Sequence, residues 1–157
     1  MEKSLTCYSI GHSNHTMEFF LSLIASHGIT LVADVRSVPF SRFAAQFNRK
    51  PAESALRLAG VEYEYLGDML GGKNSGPETV SGELFQRGLE TVISRISGGA
   101  NLAIMCAEKD PLKCHRFLLI SPELSKRGVR INHILADGSV IGNDELLQTV
   151  PLPKKKG

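Results

Sequence analysis

The chain has no tryptophan and only three cysteines, and its formal net charge is no more than +2. An odd cysteine count in a 157-residue chain rules against the disulfide frameworks that staple small secreted domains, because a chain this long can bury a core of its own. With 18 basic and 16 acidic residues, overall charge gives no argument for nucleic acid, so only a local basic cluster could make that case. No apolar run approaches membrane-spanning length. Gly-x-Gly-x-x-Gly and Walker-type loops are missing, as are the short Cys-x2-4-Cys and His-x3-5-His spacings of familiar zinc sites. The start, Met1-Glu-Lys-Ser-Leu, lacks the apolar core of a signal peptide, and a cytoplasmic protein with free thiols is the expectation.

What is present is organised around residues 101–116. An apolar run from Leu102 to Met105 has the length of a buried strand, ends in Cys106-Ala107-Glu108, and leads through Asp110-Pro111 into Cys114-His115-Arg116 at the head of a second apolar run. Around it, strand-like and helix-like segments alternate. Leu5 to Ile10 reads as a strand, followed by a helix with Met17, Phe20, Leu21 and Ile24 on one face, Thr16 as its cap and Gly28 as its stop. Ile29 to Val35 reads as a second strand pairing with the first, and a helix from Pro51 to Ala59 leads to a third strand over Val61–Tyr65. Leu66 to Pro77 reads as a loop, Phe85 to Ile96 as a helix, and Val129 to Ile141 as a hairpin turning at Asp137-Gly138. Together these predict one α/β domain over residues 1–150, three-layer α/β/α, with a mostly parallel sheet of about five strands and a small C-terminal hairpin. Residues 151–157 read as a basic, flexible tail.

In a parallel sheet, His12-Ser13-Asn14, Asp34-Val35-Arg36 and Cys106-Ala107-Glu108 all follow strands and converge on one edge, where open sheets bind ligands. Glu108 is the first candidate for acid–base work, with Asp34 and His12 beside it. Cys114, at a helix start among Lys113, His115 and Arg116, is the candidate nucleophile. Ser13, Arg36, Arg42, Cys106, His115 and Arg116 are the candidates for holding an anion. Arg116 in particular sits where a helix dipole disfavours a cation unless an anion or carboxylate is near. Ion pairs of Arg36 or Arg116 with Glu108, or of Arg116 with Asp34, are the structural alternative. Metal is the minor alternative: zinc on Cys106, Cys114 and His115 with His12 or His133. Tyr63 and Tyr65, opposite in face to Glu62 and Glu64, are expected to pack on the sheet.

Ile10-Gly-His-Ser13, Asp34-Val-Arg36 with Pro39 and Ser41, Leu66-Gly67 with Gly71-Gly72, and Met105-Cys-Ala-Glu108 with Cys114-His-Arg116 resemble the motifs of the bacterial and archaeal DUF488 family, over roughly residues 6 to 135. That resemblance implies a compact α/β domain and no particular reaction. Asp34-Val35-Arg36 alone is also similar to the opening strand motif of rhodanese domains, which raises sulfur transfer. Against this, the sixth residue after Cys106 is Leu112, so the Cys-x5-Arg cradle is absent. The residues point first to an enzyme acting on a small phosphorylated or nucleotide-like anion. The second reading is nucleic-acid binding by the basic, phenylalanine-bearing segment 36–50, and the third is thiol or sulfur-transfer chemistry at Cys106 and Cys114. No membrane partner is expected.

Overall fold

The computed structural model describes residues 5–71 and 82–150. The end of the expected glycine loop beyond Gly71 and the basic tail 151–157 lie outside the described residues. In chain order the elements are β1 (Leu5–Gly11), α1 (Met17–Ser26), β2 (Leu31–Asp34), α2 (Arg49–Leu58), β3 (Glu62–Tyr65), α3 (Gly67–Leu70), α4 (Glu83–Ser97), β4 (Leu102–Cys106), α5 (Ser121–Lys126), β5 (Val129–Ile134), β6 (Val140–Gly142) and α6 (Asn143–Gln148). A π-helical turn, Arg116–Ile120, leads into α5. Three elements differ from the sequence reading. Gly67–Leu70 is a single helical turn where a loop was expected, α2 starts two residues before Pro51, and α6 had no counterpart.

The strands form one sheet in the order β3-β2-β4-β1-β5-β6, parallel except for β6, which runs antiparallel to β5. The architecture is the expected α/β one, with helices on both faces. β1 and β2, expected to pair, are separated by β4, which is buried along its whole length and takes a central place. The period of two along β4 sorts its side chains between two cores. Leu102, Ile104 and Cys106 face a core with Phe85 and Leu89 of α4 and Leu124 of α5. Ala103 and Met105 face a second core with Phe20 and Ile24 of α1 and Leu56 of α2. No helix among the described residues is long and apolar enough to cross a membrane.

This strand order sets the position of the site. The chain leaves β1 towards β2 and leaves β4 towards β5, so the connections after these two neighbouring strands cross to opposite faces of the sheet, with α1 on one face and α5 on the other. Their loops start side by side at the C-terminal edge, where open α/β sheets usually bind ligands. In register, Gly11 lies opposite Cys106, and Asp34 lies opposite Met105 on the far side of β4.

Candidate functional site

The loops after β1 and β4 are tied to each other. His12 N–H donates to Cys106 O at 2.8 Å and Ser13 N–H to Ala107 O at 2.9 Å, with Ser13 in the left-handed region at φ 49°. Gly11 lies directly under the β4 loop, and a Cβ there would sit 1.9 Å from Glu108 O, so only glycine fits. Beyond Cys106 the chain turns through a short 3-10 segment, Pro111–Lys113, capped by Asp110, whose Oδ1 accepts Leu112 N–H at 3.0 Å. The turn returns Cys114 over the end of β4.

Cys106 and Cys114 meet there. Their Sγ atoms are 2.7 Å apart and hydrogen-bonded, and both residues are buried and free of disulfides, as is Cys7. His115 lies beside the pair, with Nδ1 3.7 Å from Cys114 Sγ and Nε2 3.2 Å from Val35 O. Nε2–H donates to that carbonyl, and Nδ1 can donate to the sulfur as well only in the imidazolium form. Cys114 is pushed down to about 4, first by the hydrogen bond from Cys106, then by His115 and by the charge and backbone N–H of Arg116, all opposed by burial. Cys106 moves the other way, raised chiefly by burial and by its bond to Cys114. The two shifts belong to the pair, and they favour the thiolate on Cys114 and the proton on Cys106. Cys7, alone in the core, is pushed up to about 12 by burial.

The cation for that charge is Arg116, which is completely buried. Its Nη1 donates to Cys106 Sγ and, at 2.6 Å, to Glu108 O, while Nη2 reaches Lys109 O at 3.4 Å and Nε reaches Ser9 Oγ at 3.1 Å. Ser9 Oγ in turn lies 2.5 Å from His133 Nδ1, and His133 Nε2 lies 2.9 Å from Asn143 Oδ1. Two expectations are corrected. Arg116 pairs with neither the Glu108 nor the Asp34 carboxylate; it meets Glu108 only at the backbone oxygen, because the Glu108 side chain points outward and accepts Asp110 N–H at 3.1 Å. Glu108 is therefore exposed rather than walled in by strands, which removes the reason for expecting it to be a tuned acid or base.

Asp34, Arg36 and His12 form a second network. Asp34 holds Arg36 by two parallel bonds, Nε–Oδ1 at 2.9 Å and Nη2–Oδ2 at 2.8 Å, and its Oδ1 also accepts Arg36 N–H at 3.1 Å. Arg36 is thus paired with Asp34, and the expected pairing with Glu108 does not occur. Tyr63 Oη donates to Asp34 Oδ2 at 2.5 Å, and Tyr65 Oη donates to the carbonyls of Arg36 and Ser37. The tyrosines expected merely to pack on the sheet therefore hold the β2 loop. Arg36 Nη1 donates to His12 Nε2 at 3.1 Å, while Nδ1–H bonds Ser13 O at 2.7 Å. Burial, reinforced by the Arg36 charge, lowers His12 to about 4, so it is neutral at pH 7.

His12, Asp34 and Arg36 are brought together, and so are Cys106, Cys114, His115 and Arg116. Glu108 and Arg42 belong to neither group, and Arg42 is exposed. Cys106, Cys114 and His115, the residues of the zinc alternative, do come together, but among the described residues no group of three His, Cys, Asp or Glu side chains is arranged so that it could hold a metal ion. Ser9 and Asn143 escaped the sequence reading, Tyr63 and Tyr65 entered it only as packing residues, and His133 only as a metal ligand. The signal was available for Ser9 and His133, which are polar residues at directly paired positions of two buried strands.

A family model described as "Domain of unknown function DUF488" matches residues 16–121, a span that takes in both networks except for His12, Ser9, His133 and Asn143. No curated protein and no solved structure matches the chain. The match lends no support to the rhodanese likeness of Asp34–Arg36.

Proposed function

The chain belongs to the DUF488 family, whose description assigns no activity, and from the geometry we propose thiol–disulfide exchange, with Cys114 as the attacking sulfur and Cys106 as the resolving one. The contact that carries this reading is the 2.7 Å approach of the two sulfurs under a buried arginine. A thiolate is the nucleophile in such chemistry, and Cys114 is the sulfur held in that form. Cys114 Sγ attacks one sulfur of a substrate disulfide, forming a mixed disulfide and releasing the other half as a thiolate. Cys106 then gives up its proton to a released thiolate and attacks Cys114 Sγ, which forms the Cys106–Cys114 disulfide and frees the second half. Two electrons pass to the substrate. Because both sulfurs are buried, the substrate class is a slim, low-molecular-weight disulfide. Arg116 and His115 favour the reduced, charged pair, so the downhill direction is the same steps in reverse, in which a substrate dithiol reduces the Cys106–Cys114 disulfide. Forming the link from the reduced protein needs the substrate disulfide in excess.

An anionic substrate remains the competing reading, but Arg36 is engaged by Asp34 and Arg116 by Cys106 and backbone oxygens. The nucleic-acid reading draws on the exposed Phe40 and Phe43 beside Arg42, Arg49 and Lys50, and binding of single-stranded oligonucleotides that weakens as salt rises would support it. The test of thiol exchange is to treat the reduced protein with oxidised glutathione and map disulfides by mass spectrometry. The expected products are a Cys106–Cys114 link in the wild type, a stable glutathione adduct on Cys114 in Cys106→Ser, and neither in Cys114→Ser. A wild type that forms no link overturns the proposal.

A further inference from the structure

We propose that His133 is a positioning residue for the thiolate: through Ser9 it fixes the guanidinium of Arg116 against the cysteine pair. The inference rests on the thiol-exchange reading and extends it to residues on a different strand and helix. Ser9 on β1 and His133 on β5 are direct register partners, and both side chains are buried. Hydrogen-bond directions follow one from another along the chain. Asn143 Oδ1 can only accept, so His133 Nε2 carries the proton; Nδ1 is then a lone pair that accepts the Ser9 hydroxyl proton. With its O–H committed, Ser9 Oγ presents lone pairs to Arg116 Nε–H. The opposite tautomer would turn Nδ1–H on Ser9 and leave the hydroxyl proton without an acceptor among these groups. The edge of Phe117 against the His133 ring, at 5.7 Å between centroids, packs the imidazole in place from the side of the π-helical turn.

The relay matters because Arg116 divides its donors between this serine and the sulfur. Nε is held by Ser9 at one end of a rigid plane and Nη1 is delivered to Cys106 and Glu108 O at the other. Removing the anchor at Nε leaves the plane held only from its Nη end, by Cys106 and the backbone oxygens of Glu108 and Lys109, so it can tilt about them and shift the charge that steadies the pair. His133 makes its hydrogen bonds to Ser9 and Asn143 and not to either sulfur, and it reaches the thiolate through Ser9 and Arg116.

The experiment follows the alkylation rate of the reduced native protein by iodoacetamide across pH 3 to 10, read by mass spectrometry at Cys114, for the wild type, Ser9→Ala, His133→Leu and His133→Gln. The first two variants are expected to shift the thiolate limb upward by about one pH unit, which is roughly tenfold less thiolate on the acid side. His133→Gln, whose amide oxygen can accept the Ser9 proton, is expected to recover most of the shift, a recovery that a purely structural role would not produce. Far-UV circular dichroism verifies the fold, and if His133→Leu does not fold, Ser9→Ala decides. Folded Ser9→Ala with a wild-type profile overturns the positioning role while leaving thiol exchange intact. A wild-type Cys114 that titrates like an ordinary thiol overturns both.

Discussion

Two buried arginines stand near the same edge of the sheet, and they are solved differently. Arg36 faces a carboxylate, Asp34, through a two-pronged ion pair steadied by Tyr63. Arg116, the more deeply buried, has no carboxylate partner among the described residues and relies on a pair of thiols. A buried cation needs an anion close by, because the cost of leaving water unpaired is several kcal/mol. The Arg36 pair asks nothing of chemistry. The Arg116 contact is strongest when Cys106 and Cys114 together carry a charge, so on the thiol-exchange reading it couples the stability of this corner to a proton and to two electrons. That difference separates a clamp from the group proposed for thiol exchange.

The comparison breaks most visibly at Asp34. Asp34→Asn strands a guanidinium that cannot give up its proton, and the expected loss is about 3 to 5 kcal/mol in urea unfolding, with the Cys114 titration unmoved. Arg116→Met should cost less, about 2 to 3 kcal/mol, since the sulfurs it leaves behind can neutralise themselves by taking up a proton. It should also move the Cys114 alkylation limb towards the ordinary thiol range, and an unmoved limb would assign the low value to some other cause.

Acid sharpens the contrast further. Cys114, ordinarily near 9 and about 4 when folded, binds a proton in the unfolded chain throughout that window but not in the native one, so its contribution is complete above 9 and fades as pH falls to 4. His12, ordinarily 6.5 and about 4 when folded, adds a loss of the same sign below 6.5 only. Between 6.5 and 9 the slope of stability against pH should therefore correspond to about one proton, and Cys114→Ser should flatten it. The smallest expected effect is at Glu108. Glu108→Gln keeps an acceptor for Asp110 N–H, so stability should change by less than about 0.5 kcal/mol, and the exchange rate should match the wild type. A large fall in rate would restore the carboxylate to the chemistry.

Particular residues show how far the sequence could be read. Strand periodicity and the Thr16 cap yielded the α/β order, and placing polar triplets after strands brought His12 to Arg36 and Cys106 to the β4 edge, because a parallel sheet aligns all its C-terminal ends. The place of β4 between β1 and β2 was not legible, since pairing order depends on which strand buries both faces. Alternation gave Tyr63 its face but not the carboxylate across from its hydroxyl. Glu108 misled because residue type points to a side chain, whereas the contact that matters there is a backbone oxygen. The Leu66–Leu70 turn lay below the length at which a helical period can be seen.

Complete burial of Arg116 also bears on how this region comes apart. The guanidinium cannot be dehydrated alone without passing through a lone charge in the core, so the segment from Ala107 to Ile120, which carries it, is expected to close over β4 and the cysteine pair together. Its amides should then exchange with deuterium as a single cooperative block, at one common opening free energy, even though half of the segment is irregular loop; graded exchange along it would show that the charges are buried one at a time.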